Sequence, residues 1–346
     1  MSKKTSIAIS TILVLTLGLT TIWSTTPKLF LTQVLILVLS FLVLLIFAKL
    51  DLKVLLSLSP ILYVFSIVLL IATLFFGSSS RGATRWLGPI QTSEMVKPLL
   101  VLFYAYFLTH RSIKTLKDFI FFIILATIPA ILVKSQPDLG TAIVLILTAV
   151  LMASFSGMSS KVIVFALVSL TLVIPLAPKL LKPYQIDRIR TFIRPHEDLQ
   201  GRGYNAAQAV IAIGSGGLIG KGVRLGTQSH LNFLPERHTD FIFASFAEEF
   251  GLVGVGILLT SYFYLIFVLL GATQAQKEKP YRLLFVGIIA VFLIQITVNI
   301  GMNLGLLPVT GITLPLFSYG GSSLLSFMAL LGITVNLLEL NPKFKI

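Results

Sequence analysis

The chain has 346 residues, of which 56% are hydrophobic and only 12% are charged, and its formal net charge is +14. Soluble domains carry roughly 25% charged residues, so these few charges could not cover a soluble fold of this length. The composition therefore predicts a membrane protein. The absence of cysteine excludes disulfides, thiolate metal sites and cysteine nucleophiles.

Ten apolar segments are long enough to be membrane spans, each of which needs about 20 apolar residues. The first follows Lys3 and Lys4, and we expect it to be retained, because no small-residue cleavage site follows it. The predicted fold is an all-α polytopic membrane protein, with a single domain over residues 1–346 and a long extracytoplasmic loop at 178–240. The spans are predicted at residues 6–23, 29–48, 54–76, 93–109, 118–134, 139–156, 161–177, 241–270, 281–305 and 322–340.

The distribution of basic residues predicts the orientation of these spans. Short loops on the cytoplasmic side of a membrane protein carry an excess of Lys and Arg. With the N-terminus inside, thirteen basic residues lie in inner segments and four in short outer loops. Both termini are therefore predicted to be cytoplasmic. Because the basic residues divide between two sides of a membrane, nucleic acid is not an expected partner.

Asp240 stands where the long polar loop meets the eighth span, beside Glu236, Arg237 and His238. An aspartate at a helix start is often only an N-cap, where its carboxylate also suits the helix dipole. A cluster of this kind at the boundary between water and lipid could instead accept a proton or bind a cation. The two roles are compatible, and the sequence alone leaves both open.

Glu94 and Lys97 lie inside the fourth predicted span, three residues apart, so they share a helix face and can pair. Charged groups within lipid are costly and usually face the protein interior or a polar cavity. The pair is either a structural link between helices or part of a polar cavity that opens toward the outer side. Lys134 and Asp138, in the next outer connection, could line the same cavity.

The outer arginines suggest an anionic ligand, because a guanidinium binds phosphate oxygens in bidentate geometry. The simpler interpretation is that these arginines contact anionic lipid headgroups. The more specific one is that they bind a polyprenyl pyrophosphate. Trp86 could be no more than an interfacial anchor. Residues 204–213 could form a short amphipathic helix on the membrane surface. The arginines concerned are Arg81, Arg85, Arg188, Arg190, Arg194 and Arg202.

Several longer motifs run through the chain: Arg85-Trp86 followed by Ser93-Glu94, Gln136 to Thr141, Gly203-Tyr204 followed by Gln208, Ile213 to Gly217, Leu234 to Phe243, Gly301 to Pro308, and Ser318 to Ser323. Together they resemble the SEDS family of cell-wall proteins, whose members include RodA and FtsW, over most of the chain. The segment from Gly220 to His238 looks more like the elongation member, RodA, than the division member, FtsW. Thr92 departs from the family pattern, which usually has proline at this position. The loss of this proline should loosen the start of the helix.

The resemblance implies a peptidoglycan glycosyltransferase that polymerises lipid II on the outer face of the bacterial cytoplasmic membrane, beside a class B penicillin-binding protein. The family's essential aspartate maps onto Asp240, the expected catalytic residue. A divalent cation, Mg²⁺ or Mn²⁺, is expected at the pyrophosphate, and no organic cofactor. The rival functions are a lipid II flippase and a non-catalytic scaffold. The expected substrate-binding residues are Trp86, Arg85, Glu94, Lys97, Lys134, Asp138, Arg202, Glu236, Arg237 and His238.

Overall fold

A computed structural model of the chain describes residues 2–80, 83–159, 162, 164, 183–193, 202–231 and 233–340. Most of these residues are helical, as the composition predicts. The helices are α1 (Lys3–Thr25), α2 (Pro27–Lys49), α3 (Leu52–Phe76), α4 (Thr92–His110), α5 (Leu116–Ser135), α6 (Leu139–Phe155), α7 (Pro183–Ile193), α8 (Arg202–Gly216), α9 (Thr227–His230), α10 (Ile242–Ala275), α11 (Lys279–Asn303) and α12 (Gly321–Leu340).

Within the described ranges, seven helices are long and apolar enough to cross a membrane: α1, α2, α3, α5, α10, α11 and α12. Helices α4 and α6 coincide with two further predicted spans; α4 carries Glu94 and Lys97, and α6 has only 17 residues. The predicted span at 161–177 lies outside the described residues, apart from Val162 and Val164. The prediction of a polytopic α-helical membrane protein is confirmed.

Helices α11 and α12 form the centre of the bundle. In each of these two helices, 78% of an apolar 18-residue stretch is buried inside the protein, whereas only 11% of the corresponding stretch of α2 is buried. Helix α2 packs mainly on α12, and α10 packs on α1, α8 and α11. Polar side chains on α11 are therefore shielded from lipid by the surrounding helices.

A small three-stranded antiparallel sheet precedes α4, and the sequence analysis missed it. Its strands are β1 (Ser78–Ser80), β2 (Ala83–Leu87) and β3 (Ile90–Gln91), in the order β1-β2-β3. Trp86 on β2 pairs with Ser78 on one side and with Gln91 on the other. Strands of two to five residues are too short to give a periodic hydrophobic signal. The sheet leads directly into the start of α4.

Helix α4 begins at Thr92, where the family resemblance would place proline. The Thr73 hydroxyl on α3 donates a 2.9 Å hydrogen bond to the buried Thr92 hydroxyl. Proline could not make this bond. The structure therefore gives Thr92 a specific anchor, which offsets the expected loosening of the helix start.

Helix α10 bends at Gly251, which has φ 63° and ψ −165°. The backbone nitrogens of Leu252 and Val253 donate to the carbonyls of Gly217 (2.9 Å) and Leu218 (3.1 Å), in the loop after α8. A Cβ at residue 251 would collide with the backbone of that loop, so only glycine fits. The bend lies within the predicted span at 241–270.

Glu248 and Glu249, just before this bend, are both buried. Glu248 accepts hydrogen bonds from Lys221 Nζ (2.9 Å) and from the Gln228 backbone (2.9 Å). Glu249 accepts one from Ser24 on α1. Both carboxylates are therefore engaged by neighbouring protein, and they hold residues 221–229 onto α10.

Candidate functional site

Asp240 lies in a turn immediately before α10, and the reading of Asp240 as the N-cap is wrong. Phe241 occupies the N-cap position, and no side chain caps this helix end. The turn is closed because the backbone nitrogens of Thr239 (3.1 Å) and Phe241 (3.2 Å) donate to the carbonyl of Glu236. The carboxylate of Asp240 therefore does not cap the N-terminus of α10.

Two asparagines of α11 hold Asp240 through its backbone. Asn299 Nδ2 (3.1 Å) and Asn303 Nδ2 (3.0 Å) both donate to the Asp240 carbonyl. Asn303 Oδ1 also accepts from the Ala244 backbone nitrogen at 3.2 Å. Because Asn299 and Asn303 bind the main chain of Asp240, they fix the position of this residue without occupying its carboxylate.

The residues before Asp240 are fixed by the segment that leads into α12. Ser318 Oγ donates to the Thr239 carbonyl (2.8 Å), and the Tyr319 backbone nitrogen donates to the His238 carbonyl (2.9 Å). The His238 ring packs edge-on against Tyr319, with ring centroids 5.6 Å apart. The turn that carries Asp240 is thus held from two sides, by α11 and by this segment.

The pKa of the Asp240 carboxyl is raised to about 6, first by burial and then by the negative charges of Glu236 and Asp138. The positive charges of Arg85 and Arg188 lower it. At neutral pH the group is ionised, and it is more basic than an exposed aspartate. A carboxylate with a pKa near the working pH is well suited to general-base catalysis.

Arg85 and Asp138 reach this cluster from the sheet and from the connection between α5 and α6. Arg85 Nε donates to the Gln136 carbonyl (3.3 Å), and Arg85 Nη2 donates to the Pro137 carbonyl. Asp138 caps α6 by accepting from the Thr141 backbone nitrogen at 3.2 Å. The side chain of Asp138 thus caps a helix, and its negative charge also acts on Asp240.

The predicted pairing of Glu94 with Lys97 is confirmed, since Lys97 Nζ lies 2.6 Å from Glu94 Oε1. Lys97 also donates to Gln295 Oε1 on α11 at 3.0 Å. Both charged groups are buried. Because Gln295 lies one turn before Asn299 on the same face of α11, the pair sits beneath the Asp240 turn and supports the helix that holds it. Its role in substrate binding stays a prediction.

Of the other predicted site residues, Glu236 contacts the Asp240 turn and Arg237 contacts α1. Glu236 accepts from the Thr239 hydroxyl (3.1 Å), whereas Arg237 Nε donates to the Thr25 carbonyl on α1 (3.2 Å). Lys134 lies half-buried in the last turn of α5, and its role in substrate binding stays a prediction.

Trp86 is half-buried in β2, in the strand that carries Arg85. Arg202 begins α8, but its side chain lies outside the described part of the structure, as do Arg81 and Arg194.

The fold brings Gly311, and Arg188 from the set of outer arginines, to the neighbourhood of Asp240. Arg188 Nη1 donates to the Thr310 carbonyl at 3.1 Å. A Cβ at Gly311, whose φ is 75°, would lie 3.4 Å from Asp240 Oδ2, so the backbone at this point packs against the carboxylate. No local pattern in the sequence links residues 188 and 310–311 to Asp240, because the contacts span distant parts of the chain.

The described residues contain no group of three or more His, Cys, Asp or Glu side chains that could hold a metal ion. The carboxylates near Asp240 act on it electrostatically without converging into a ligand set. The divalent cation expected at the pyrophosphate stays a prediction.

Comparisons with known proteins place these observations in a family. The model of the FtsW, RodA and SpoVE family, described as cell cycle proteins, matches residues 5–342. The chain is 43% identical over 286 residues to the peptidoglycan glycosyltransferase MrdB of Escherichia coli (strain K12), covering 81% of this chain and 77% of the relative. It is 37% identical over 276 residues to the probable peptidoglycan glycosyltransferase FtsW of Shewanella sediminis (strain HAW-EB3), covering 77% and 67%.

Two solved structures agree with this result. One, which concerns the structural coordination of polymerization and crosslinking by a peptidoglycan synthase complex, superposes with a TM-score of 0.83 at 32% identity, covering 95% of this chain and 96% of that one. The rod shape determining protein RodA of Thermus thermophilus superposes with a TM-score of 0.71 at 30% identity, covering 96% and 95%. The chain belongs to the FtsW/RodA/SpoVE family, and its predicted likeness to RodA is confirmed.

Proposed function

We propose that this chain is a peptidoglycan glycosyltransferase that polymerises lipid II at the Asp240 end of its helix bundle, with Asp240 as the general base. The activity is supported by the family and by relatives that carry this name. The role of Asp240 rests on one observation. Its carboxyl group has a pKa of about 6, which the positive charges of Arg85 and Arg188 lower, and its backbone carbonyl is held by α11.

The reaction joins two lipid-linked substrates. The growing glycan, attached to undecaprenyl diphosphate, is the donor, and a free sugar hydroxyl of a second lipid II is the acceptor. Asp240 removes the hydroxyl proton as the oxygen forms a bond to the donor sugar C1. The bond from C1 to the diphosphate breaks, and its electron pair leaves with the diphosphate. Arg85 and Arg188 supply positive charge that stabilises this leaving group.

The activity should have an acid limb that reports the Asp240 carboxyl. Below a pH of about 6 the carboxylate takes up a proton and the rate of polymerisation falls. Glu236→Gln removes a negative charge that raises the Asp240 pKa, so the limb should move to lower pH. We would measure kcat/KM for lipid II polymerisation from about pH 5 to 8. Glu339→Gln, which alters an exposed carboxylate paired with Lys4, should leave the limb unmoved.

The result that would contradict the pH assignment is a limb at the same pH in Glu236→Gln and in the wild type. A limb that moved equally in Glu339→Gln would also contradict it. That outcome would mean that the shift reports a general change in protein charge.

Asn303→Ala should lower kcat by about 10²-fold, because the Asp240 turn loses a bond that positions it. Asn336→Ala is a matched control. Asn336 is also a buried asparagine with two bonds to backbone carbonyls, but those carbonyls, of Phe47 and Leu50, lie at the end of α2. Initial rates at saturating lipid II would be compared for the two variants. Equal kcat values would show that Asn303 has only a general structural role.

We propose that any divalent cation arrives with the diphosphate substrate. Mg²⁺ is usually bound by one or two carboxylates together with substrate phosphates and waters, and oxygen ligands of that kind are present near Asp240. EDTA should therefore reduce polymerisation while leaving the Tm of the substrate-free protein unchanged. A lower Tm in EDTA would instead indicate a metal site within the folded protein, and the proposal would fail.

We further propose that both termini are cytoplasmic, that the Asp240 end faces outward across the cytoplasmic membrane, and that a class B penicillin-binding protein crosslinks the product. The excess of Lys and Arg in the opposite set of short loops supports this orientation. The likeness to a synthase complex that coordinates polymerization and crosslinking supports the partner. A protease site inserted at an Asp240-end connection should be cleaved from outside intact cells, and protection of that site would contradict the orientation.

A further inference from the structure

A cavity of about 540 Å³ lies between α7, α8 and residues 304–309, and Arg188 alone of its lining residues has a role in the mechanism above. Its walls are mainly apolar, with a few polar side chains that include Arg188 and Gln208. Binding sites for organic ligands are typically about 300–1,000 Å³ and combine apolar walls with a few placed polar groups. The cavity therefore has the size and the lining of a ligand site.

The rim of the cavity is also apolar. Val210 and Ile211 of α8 line it and keep 45% and 49% of their surface exposed, and Phe192 of α7 is 40% exposed. Exposed apolar side chains around an apolar cavity allow a hydrocarbon to enter without crossing a polar barrier. These features favour a ligand with a substantial hydrocarbon part.

One end of the cavity carries a positive charge that faces the Asp240 site. Arg188 lines the cavity, donates to the Thr310 carbonyl at 3.1 Å, and lowers the pKa of Asp240 through its charge. The next residue, Gly311, packs against the Asp240 carboxylate. A ligand with an apolar chain and an anionic head would thus place its head between the cavity and Asp240.

We propose that this cavity binds the isoprene units nearest the diphosphate of the polyprenyl-linked donor, with Arg188 on the diphosphate and the sugar C1 toward Asp240. The inference rests on the proposed function and adds to it the site where the donor binds. A guanidinium binds diphosphate oxygens in bidentate geometry, and the apolar walls take the chain. Both substrates carry a diphosphate, but only in the donor is it bonded to the reacting C1. A diphosphate held close to Asp240 is therefore that of the donor.

The absence of cysteine from the chain allows a direct binding test. Ala207→Cys places one thiol at an exposed position of α8 in the cavity wall. Ser215→Cys places one on the same helix, at an exposed position that does not line the cavity. Each full-length variant would be treated with a water-soluble maleimide, with and without undecaprenyl diphosphate, and the labelling rates compared.

Undecaprenyl diphosphate at about ten times its Kd should slow labelling of the Ala207→Cys variant about tenfold, since the free fraction of sites falls by that factor. It should leave the Ser215→Cys variant unaffected. Adding Arg188→Gln to Ala207→Cys should remove most of the protection. Undecaprenol and phosphatidylglycerol, tested as separate ligands, should protect weakly, because neither combines a single isoprenoid chain with a diphosphate.

Two results would overturn the proposal. One is normal labelling of a folded Ala207→Cys protein at saturating undecaprenyl diphosphate. The other is equal protection by phosphatidylglycerol or undecaprenol, which would indicate a general lipid crevice. Since labelling needs no catalysis, polymerisation of lipid II would be assayed separately with the wild type. Protection without polymerisation would retain the site and reject the proposed function.

Discussion

Glu94→Gln is expected to destabilise the protein by about 3–5 kcal/mol, because it leaves the positive charge of Lys97 buried without its counter-ion. Lys97 is fully enclosed, and its two hydrogen-bond partners are Glu94 Oε1 at 2.6 Å and Gln295 Oε1 at 3.0 Å. The amide oxygen that remains carries no formal charge. The loss would be measured as a lower free energy of unfolding, or a lower Tm, in a single detergent.

A double variant separates the cost of an unpaired charge from the value of the pair itself. Glu94→Leu combined with Lys97→Met replaces both charges with apolar groups of similar size, so it should be more stable than Glu94→Gln or Lys97→Met alone. Lys4→Met is a control, because the Lys4–Glu339 pair is exposed and should contribute no more than about 1 kcal/mol. A Glu94→Gln protein as stable as the wild type would contradict this account, as would a double variant less stable than both single variants.

The membrane architecture could be predicted well because its signal is local. A run of about 20 apolar residues is sufficient to predict a span, and nine predicted spans coincide with described helices. The Glu94–Lys97 pair followed from helical spacing alone. The sheet at residues 78–91 did not follow, because its strands are short and are held by pairing across a turn at Gly88.

The candidate site could be predicted only in part. Asp240 and Glu236 were evident from their charge at a membrane boundary, and Arg85 and Asp138 from their place in outer connections. The supports of Asp240 were not evident, since Asn299 and Asn303 reach its carbonyl across about 60 residues of chain. The N-cap reading of Asp240 was wrong for the same reason, because the turn is set by tertiary hydrogen bonds rather than by local capping.

Asp240→Asn is expected to lower the rate of polymerisation by about 10²–10⁴-fold, the usual contribution of a positioned general base. Asparagine has nearly the same shape, and the bonds from Asn299 and Asn303 go to the backbone carbonyl, which the substitution retains. Because burial raises the pKa of this carboxyl, removing its charge should not destabilise the fold. The loss should therefore be one of chemistry, with an unchanged Tm.

The central claim is tested most directly by incubating purified lipid II with the protein and the proposed class B penicillin-binding partner, and resolving the glycan strands formed. The wild type would be compared with Asp240→Asn. We expect strands from the wild type and almost none from the variant, with both proteins melting at the same temperature. Full polymerisation by the variant would contradict the role of Asp240. An absence of strands from the wild type, together with movement of lipid II across liposome membranes, would instead indicate a transporter.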